Sequence, residues 1–361
     1  MSKTSWLLVS LGAGLILLGQ GCLNLQSKQA GPAGVFRSVD RGENWTPAVS
    51  LPTAQGVKSI AGVNVFRFFP DPGDPNALYL ASRNQGLFYT YNRGESWNRV
   101  EPLSGKFIYA LAVDPHNKCA IFVSDGPHIY RTLDCSRSWQ LVYTEERPLE
   151  RFVALAVDYG TSTLVYGATI GGDVFRSTDR GASWQAVKRF GFEIRELLVD
   201  PFASRRVYVA AHRQGLYRSD DAGVNWANLS RGFDAYSEAN NFYRLVLHPG
   251  RKNSLFWVSK YGILRSDDLG YTWQDIKLLT PPGSVSIFAF AVSPKNDDEM
   301  YYLATILNEK QLPVRSTFYK TADGGVNWVT KKLPTNTIPV GIHLHPLEPN
   351  MLFLGFTSAI Q

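Results

Sequence analysis

One eight-residue turn, Ser/Thr-x-Asp-x-Gly-x-x-Trp, returns seven times along this chain, and that recurrence restricts the fold more than any other feature. The copies run from Ser38 to Trp45, Thr90 to Trp97, Thr132 to Trp139, Ser177 to Trp184, Ser219 to Trp226, Ser266 to Trp273 and Thr321 to Trp328. Successive tryptophans lie 52, 42, 45, 42, 47 and 55 residues apart, and seven of the nine tryptophans occupy this one position. A period of that length fits one four-stranded propeller blade per repeat.

Local chemistry explains the turn. Asp40, Asp134, Asp179, Asp221, Asp268 and Asp323 can accept hydrogen bonds from N–H groups of their own hairpin, and Asn92 can do the same in the second copy. Glycine two residues later allows a backbone shape that a Cβ opposes; Ser136 replaces it in the third copy. The tryptophan opens the next strand and buries a large ring beside the neighbouring blade. All seven Asp or Asn positions are therefore read as structural.

A second periodic element precedes each turn. Apolar runs end in Val113-Asp114-Pro115, Val157-Asp158-Tyr159, Val199-Asp200-Pro201, Leu247-His248-Pro249, Val292-Ser293-Pro294 and Leu344-His345-Pro346, with Asp71-Pro72 as the variant. The unit reads as strand A, a proline turn, strand B, strand C, the Asp turn and strand D. No segment shows helical periodicity. Residues after 33 begin with strands C and D, and the chain finishes with strands A and B between Pro339 and Phe356. The predicted fold is an all-β seven-bladed propeller, four antiparallel strands per blade, closed by pairing N-terminal with C-terminal strands. Closure removes open sheet edges.

Residues 1–21 read as an export signal: Lys3 is the only charge, and an apolar stretch from Trp6 to Leu18 leads to small residues. That stretch is shorter than the ~20 residues of a membrane-spanning helix. Leu18-Gly19-Gln20-Gly21-Cys22 resembles a bacterial lipobox, which makes Cys22 the expected lipidation site, residues 22–33 a linker and 34–361 a single propeller. The expected location is outside the cytoplasm on a bacterial membrane, and Leu23 after the cysteine leans toward the outer one. Export allows a disulfide. Cys119 opens strand B and Cys135 lies just past strand C of the same blade, so they are the candidate pair. The net charge of +6 includes Lys3 and comes without a Lys/Arg run, which argues against nucleic acid as partner.

The repeated turn resembles that of the Asp-box (BNR) superfamily, over essentially the whole chain beyond the leader. That superfamily includes sialidases, xyloglucan-type glycosidases, the sortilin propeller and the photosystem II assembly-factor propellers. The last are seven-bladed and, in cyanobacteria, lipoproteins, so their architecture looks similar. In family members the box lies on the C–D hairpin side, away from the face where ligands usually bind. The resemblance thus implies a fold rather than an activity.

Function is accordingly sought at the opposite face, formed by the D–A and B–C loops. Five residues ahead of each turn proline, strand A carries Arg67, Ala110, Ala154, Glu196, Arg244, Ala289 and Gly341. Small residues suit a crowded axis; Arg67, Glu196 and Arg244 break the rule. Arg151 and Arg195 stand nearby, and the B–C loops add Arg83, His212, Arg213, Lys260 and Tyr261. The long segments Ser230 to Asn241 and Leu307 to Thr317 fall on the same face. Such a basic, aromatic-bearing mouth suits a protein or acidic peptide, with a glycan as a second class of partner, and a monomeric propeller is expected. The expected role is a non-catalytic, membrane-tethered binding or assembly scaffold. The alternative is a glycoside hydrolase of sialidase-like or xyloglucanase-like type, for which Glu193, Glu196, Asp234 and Glu238 offer carboxylates. Against it, the Arg-Ile-Pro motif of sialidases is absent, and xyloglucan-type enzymes resemble two propellers where this chain has residues for one. No cofactor or metal is expected: the six histidines are scattered, and no phosphate loop or Ser nucleophile elbow occurs.

Overall fold

The computed structural model describes residues 33–310 and 312–358, so the expected export signal, Cys22 and the expected linker up to 32 lie outside the described residues. Seven four-stranded antiparallel sheets stand around one axis. The innermost strands are Val65–Pro70, Ala110–Asp114, Phe152–Val157, Ile194–Val199, Phe242–Leu247, Ser286–Val292 and Ile338–Leu344, in blades 1 to 7. Blade 7 is composite: Ile338–Leu344 and Leu352–Thr357 come from the end of the chain, Gly34–Ser38 and Thr46–Pro47 from its beginning. Arg37 pairs with Phe353 and Gly34 with Phe356 across that closure. The structure is thus the expected seven-bladed propeller.

Each blade turn is held by its own side chains. In blade 3, Ser177 Oγ donates to Asp179 Oδ1 (2.7 Å) and accepts the Gly181 N–H (2.7 Å), while Asp179 accepts the Ser183 N–H (2.9 Å) and hydroxyl (2.6 Å). Asn92 makes the same turn, accepting the Thr90 hydroxyl at 2.8 Å and the Ser96 N–H at 3.1 Å. Two consecutive residues are left-handed, not only the glycine: Arg180 has φ 57° before Gly181 at 73°. A Cβ on Gly181 would also lie 2.6 Å from the Phe122 ring of the preceding blade, so the glycine permits both the turn and the blade contact. Cys119 and Cys135 are joined as a disulfide in blade 2, beside the turn in which Ser136 takes that strained position at φ 67°.

Three features lie outside the repeat. A hairpin, Ser50–Thr53 with Gly56–Ser59, fills the long first interval and receives the Trp97 N–H on Ser50 O at 2.8 Å. The insertion after Leu307 extends strands B and C of blade 6 into a long hairpin, Met300–Leu307 against Pro313–Thr321, rather than forming a loose loop. Within Ser230 to Asn241, a short 3-10 helix (Ser230–Phe233) buries Phe233 against Trp257, with ring centroids 4.6 Å apart. Among the described residues no helix is long and apolar enough to cross a membrane.

Six innermost strands carry a β-bulge at the same place. Val65 opposes Ser82 and Arg67 opposes Ala81, leaving Phe66 extra; the equivalent residues are Val153, Arg195, Tyr243, Phe288 and Val340. A bulge re-aims a side chain and strengthens local twist. Here it leaves five half-buried residues and the exposed Arg195 at the D–A end of the innermost strands.

Candidate functional site

Just past the bulge, strand A delivers its channel residue. In four blades that residue is Ala110, Ala154, Ala289 or Gly341; in blades 1, 4 and 5 it is Arg67, Glu196 and Arg244. These three converge. Arg67 Nη2 lies 2.8 Å and Arg244 Nη1 3.0 Å from Glu196 Oε1, and Glu196 Oε2 accepts the Leu245 N–H at 2.7 Å. Both oxygens are taken, which removes Glu196 from the carboxylates able to act on a substrate. Burial, and then the Arg244 charge, push the Arg67 guanidinium down to about 10.

Around the D–A face, backbone bonds tie the B–C loops of blades 4 and 5 to the D–A segments beside them. The His212 N–H donates to Glu193 O and the Arg213 N–H to Asn240 O, both at 2.9 Å; the Lys260 N–H donates to Asn241 O at 2.9 Å. One arc of the rim therefore gathers Glu193, Arg195, His212, Arg213, Glu238, Lys260 and Tyr261. Arg195 Nε sits 2.7 Å from Glu193, and Lys260 Nζ 3.5 Å from Glu238, which also accepts the Asn241 amide. Burial, and then the charge of Arg195, hold His212 below the usual imidazole range. Tyr261 packs edge-on against Tyr236. Asp234 is exposed on the same segment as Glu238.

The opposite arc is aromatic. Phe107 stacks on Tyr109 at 4.2 Å and 16°, and Phe66 meets Phe107 edge-on at 5.0 Å. Arg83 lies over Phe66 and Phe107, and Arg151 over Tyr109, at 5.5–5.8 Å. Beside them, Asp125 accepts from Lys106 Nζ (2.6 Å) and the Tyr130 hydroxyl (3.0 Å) and contacts His128 Nδ1 at 3.0 Å.

The larger cavities open elsewhere. Between the proline turns at the far end of the innermost strands lies a space of about 580 Å³, lined by Phe68, Pro72, Pro249, Phe290, Pro294 and Ile342 among others. It shares Phe68, Val246, Phe290 and Ile342 with a second space of about 410 Å³ that reaches Arg67, Glu196 and Arg244. His343 lines this well, and burial pushes it down to about 4, so its ring is neutral near pH 7.

The ten sequence-derived ligand candidates thus divide into the axial trio, one rim arc, and the pair Arg83 and Arg151 under the aromatics. Sequence reasoning missed Phe66, Phe107, Tyr109, Tyr243 and Phe288. The signal for four of them, all but Phe107, was present: each stands one residue ahead of the aligned channel position. Among the described residues no group of three or more His, Cys, Asp or Glu could hold a metal ion.

The "Sortilin, neurotensin receptor 3" family model matches residues 172–262, from strand C of blade 3 into blade 5. Xyloglucanase Xgh74A of Acetivibrio thermocellus is 26% identical over 196 residues, covering 47% of this chain and 23% of that protein. The chain thus spans about a quarter of the length of that curated relative. Among solved structures, the GH74 xyloglucanase of Xanthomonas campestris superposes with a TM-score of 0.63 at 18% identity, over 82% of this chain and 51% of its own. YCF48 bound to D1 peptide superposes with 0.60 at 16%, over 86% and 96%. These likenesses correct one expectation. Sequence reasoning made the chain a non-catalytic scaffold and set the glycosidase aside; the recurrence of xyloglucanases among curated relatives and solved structures overturns that reading.

Proposed function

We propose that this propeller is a glycoside hydrolase-like protein that engages a β-linked glucan of the xyloglucan class across its D–A face. The observation that carries this reading is the sequence match to a xyloglucanase over nearly half of the chain. The mouth supports it chemically. Sugar rings present C–H faces that pack on aromatic rings, and hydroxyls that need polar partners. The aromatic arc of Phe66, Phe107 and Tyr109 and the polar arc of Glu193, Glu238, His212 and Lys260 offer both around one opening.

Hydrolysis of a glycosidic bond needs an acid and a second carboxylate. Glu193 and Glu238 are the pair assigned here, because the His212-Arg213 loop bonds both of their loops, and both side chains are about one-third exposed or more. Glu238 also holds a left-handed backbone at φ 66°, an arrangement that needs support from its surroundings. The test is release of reducing ends from soluble xyloglucan by the purified protein, with Glu193→Gln and Glu238→Gln as controls. Loss of release in both variants supports the assignment. A wild-type protein that releases no more than a heat-treated blank overturns the hydrolytic reading.

A further inference from the structure

We propose that the axial well is a second binding site, specific for a small amphiphilic carboxylate that enters from the proline-turn side. Size comes first. The wider space, about 580 Å³, falls within the roughly 300–1,000 Å³ typical of ligand sites. Its walls are proline rings, Phe68, Phe290 and Ile342, which suit an apolar body.

Charge sets the head group. The inner space ends at two guanidiniums and one carboxylate, so the trio carries one excess positive charge in an apolar channel. Glu196 uses both of its oxygens, so it cannot neutralise either arginine further. Arg67 Nε is buried with no hydrogen-bond partner, and a buried donor left unmade is costly. Low-dielectric walls strengthen the field of that excess charge and favour an anion. A planar carboxylate matches the fork of a guanidinium, and the apolar wall excludes anions without a tail. Two groups near the entrance shape the choice. Neutral His343 adds no charge, while Asp71, buried at the rim with Oδ2 unpartnered, disfavours multiply charged ligands.

The site is distinct from the glucan-engaging mouth, so the two readings fail separately. Calorimetric titration of the full chain with decanoate is the direct measurement, with decan-1-ol and decyltrimethylammonium as matched probes. Decanoate is expected to bind at least about tenfold more tightly than the alcohol, the difference that charge-assisted bonds supply. Arg67→Met should remove that preference. Ala291 lines the wider space and not the inner one, so Ala291→Phe should fill the well and abolish binding of decanoate, leaving the ion pairs and any release of sugar intact; it keeps the proposal testable where the arginine variant folds poorly. Glu196→Gln should tighten decanoate. Equal affinity for acid and alcohol, or decanoate binding that survives Ala291→Phe, overturns the site.

Discussion

Replacing Glu196 by Gln should destabilise the propeller more than its near-identical shape suggests. The wild-type carboxylate satisfies three donors: Arg67, Arg244 and the Leu245 N–H. Gln keeps one acceptor oxygen, so its NH2 must face either the Leu245 N–H or both guanidiniums, and in each case two positive charges meet across a channel without a counter-charge. Removing one partner of a buried charged network costs about 3–5 kcal/mol in fully enclosed sites. This site is not fully enclosed: Glu196 is 4% exposed, but the arginine side chains are 23% and 20% exposed, and solvent screens part of the repulsion. A loss of about 2–3 kcal/mol is therefore expected. In a chain of this size each kcal/mol shifts the melting point by roughly 2–4 °C, so calorimetry should show a fall of roughly 5–10 °C. A triple variant, Arg67→Met, Glu196→Leu and Arg244→Met, should regain most of it, because apolar residues of similar volume replace a buried ion cluster at little cost. A single variant that melts with the wild type, or a triple variant less stable than the single, refutes this account of the axis.

Reducing Cys119–Cys135, which closes a separation of 16 residues, should lower stability in denaturant titration by about 3 kcal/mol, and an unchanged midpoint would count against a bridge in the folded protein. Ser136→Gly should stabilise by roughly 1 kcal/mol, since it relieves a left-handed residue at φ 67° and removes a buried hydroxyl without a partner; a lower midpoint would show that Ser136 makes a contact worth more than its strain. Acid should act in two windows. His343 titrates near 4 when folded against 6.5 unfolded, so the stability it contributes is complete above about 6.5 and is lost as pH falls toward 4. His343→Phe should flatten the curve there, and a variant with the wild-type slope would reject that origin. Asp40, Asp134 and Asp179 titrate at about 2, held down chiefly by bonds from the seventh residue of each turn, so their contribution is lost only between about 4 and 2. Melting curves taken from pH 8 to pH 2 separate the two windows.

The blade count was legible because each turn folds on its own atoms. Ser177, Asp179 and Ser183 lie within seven residues and need nothing from the rest of the chain. Ring closure was legible for the same reason, since incomplete blades at the two ends leave only one pairing. The axial trio was also found, because the proline turn fixes the register of strand A and counting back from it reaches Arg67, Glu196 and Arg244. The bulges were not seen. One extra residue between Val65 and Arg67 shifts the alternation of side chains, but Val65–Pro70 is apolar on both faces, so the shift leaves no mark in the sequence. The edge-on contact of Phe66 with Phe107 and Tyr109 was hidden although two of its members could be placed, since it joins residues about 40 apart in the chain.

The direction in which the channel opens could not be read at all, and the reason lies in where space is left over. Alignment of strand A predicts which side chain faces the axis at one level, but a cavity depends on every level. At the level of the trio, long side chains from blades 1, 4 and 5 reach across toward the small residues of the other four. The space left there is the narrower one, about 410 Å³, lined by Arg67, Glu196, Arg244, Ala289 and Gly341 among others. Five residues further on, past the end of strand A, the aligned residues are prolines in six of the seven blades, too short to meet in the middle, and the wider space remains. The same proline that fixes the register of strand A, and so exposes the trio to sequence reasoning, therefore also hollows out the face that the repeated turn marks as structural. The Asp turns serve the fold at the outer edge of that face, yet the centre of the same face holds an apolar space of about 580 Å³ beside the excess positive charge of Arg67, Glu196 and Arg244.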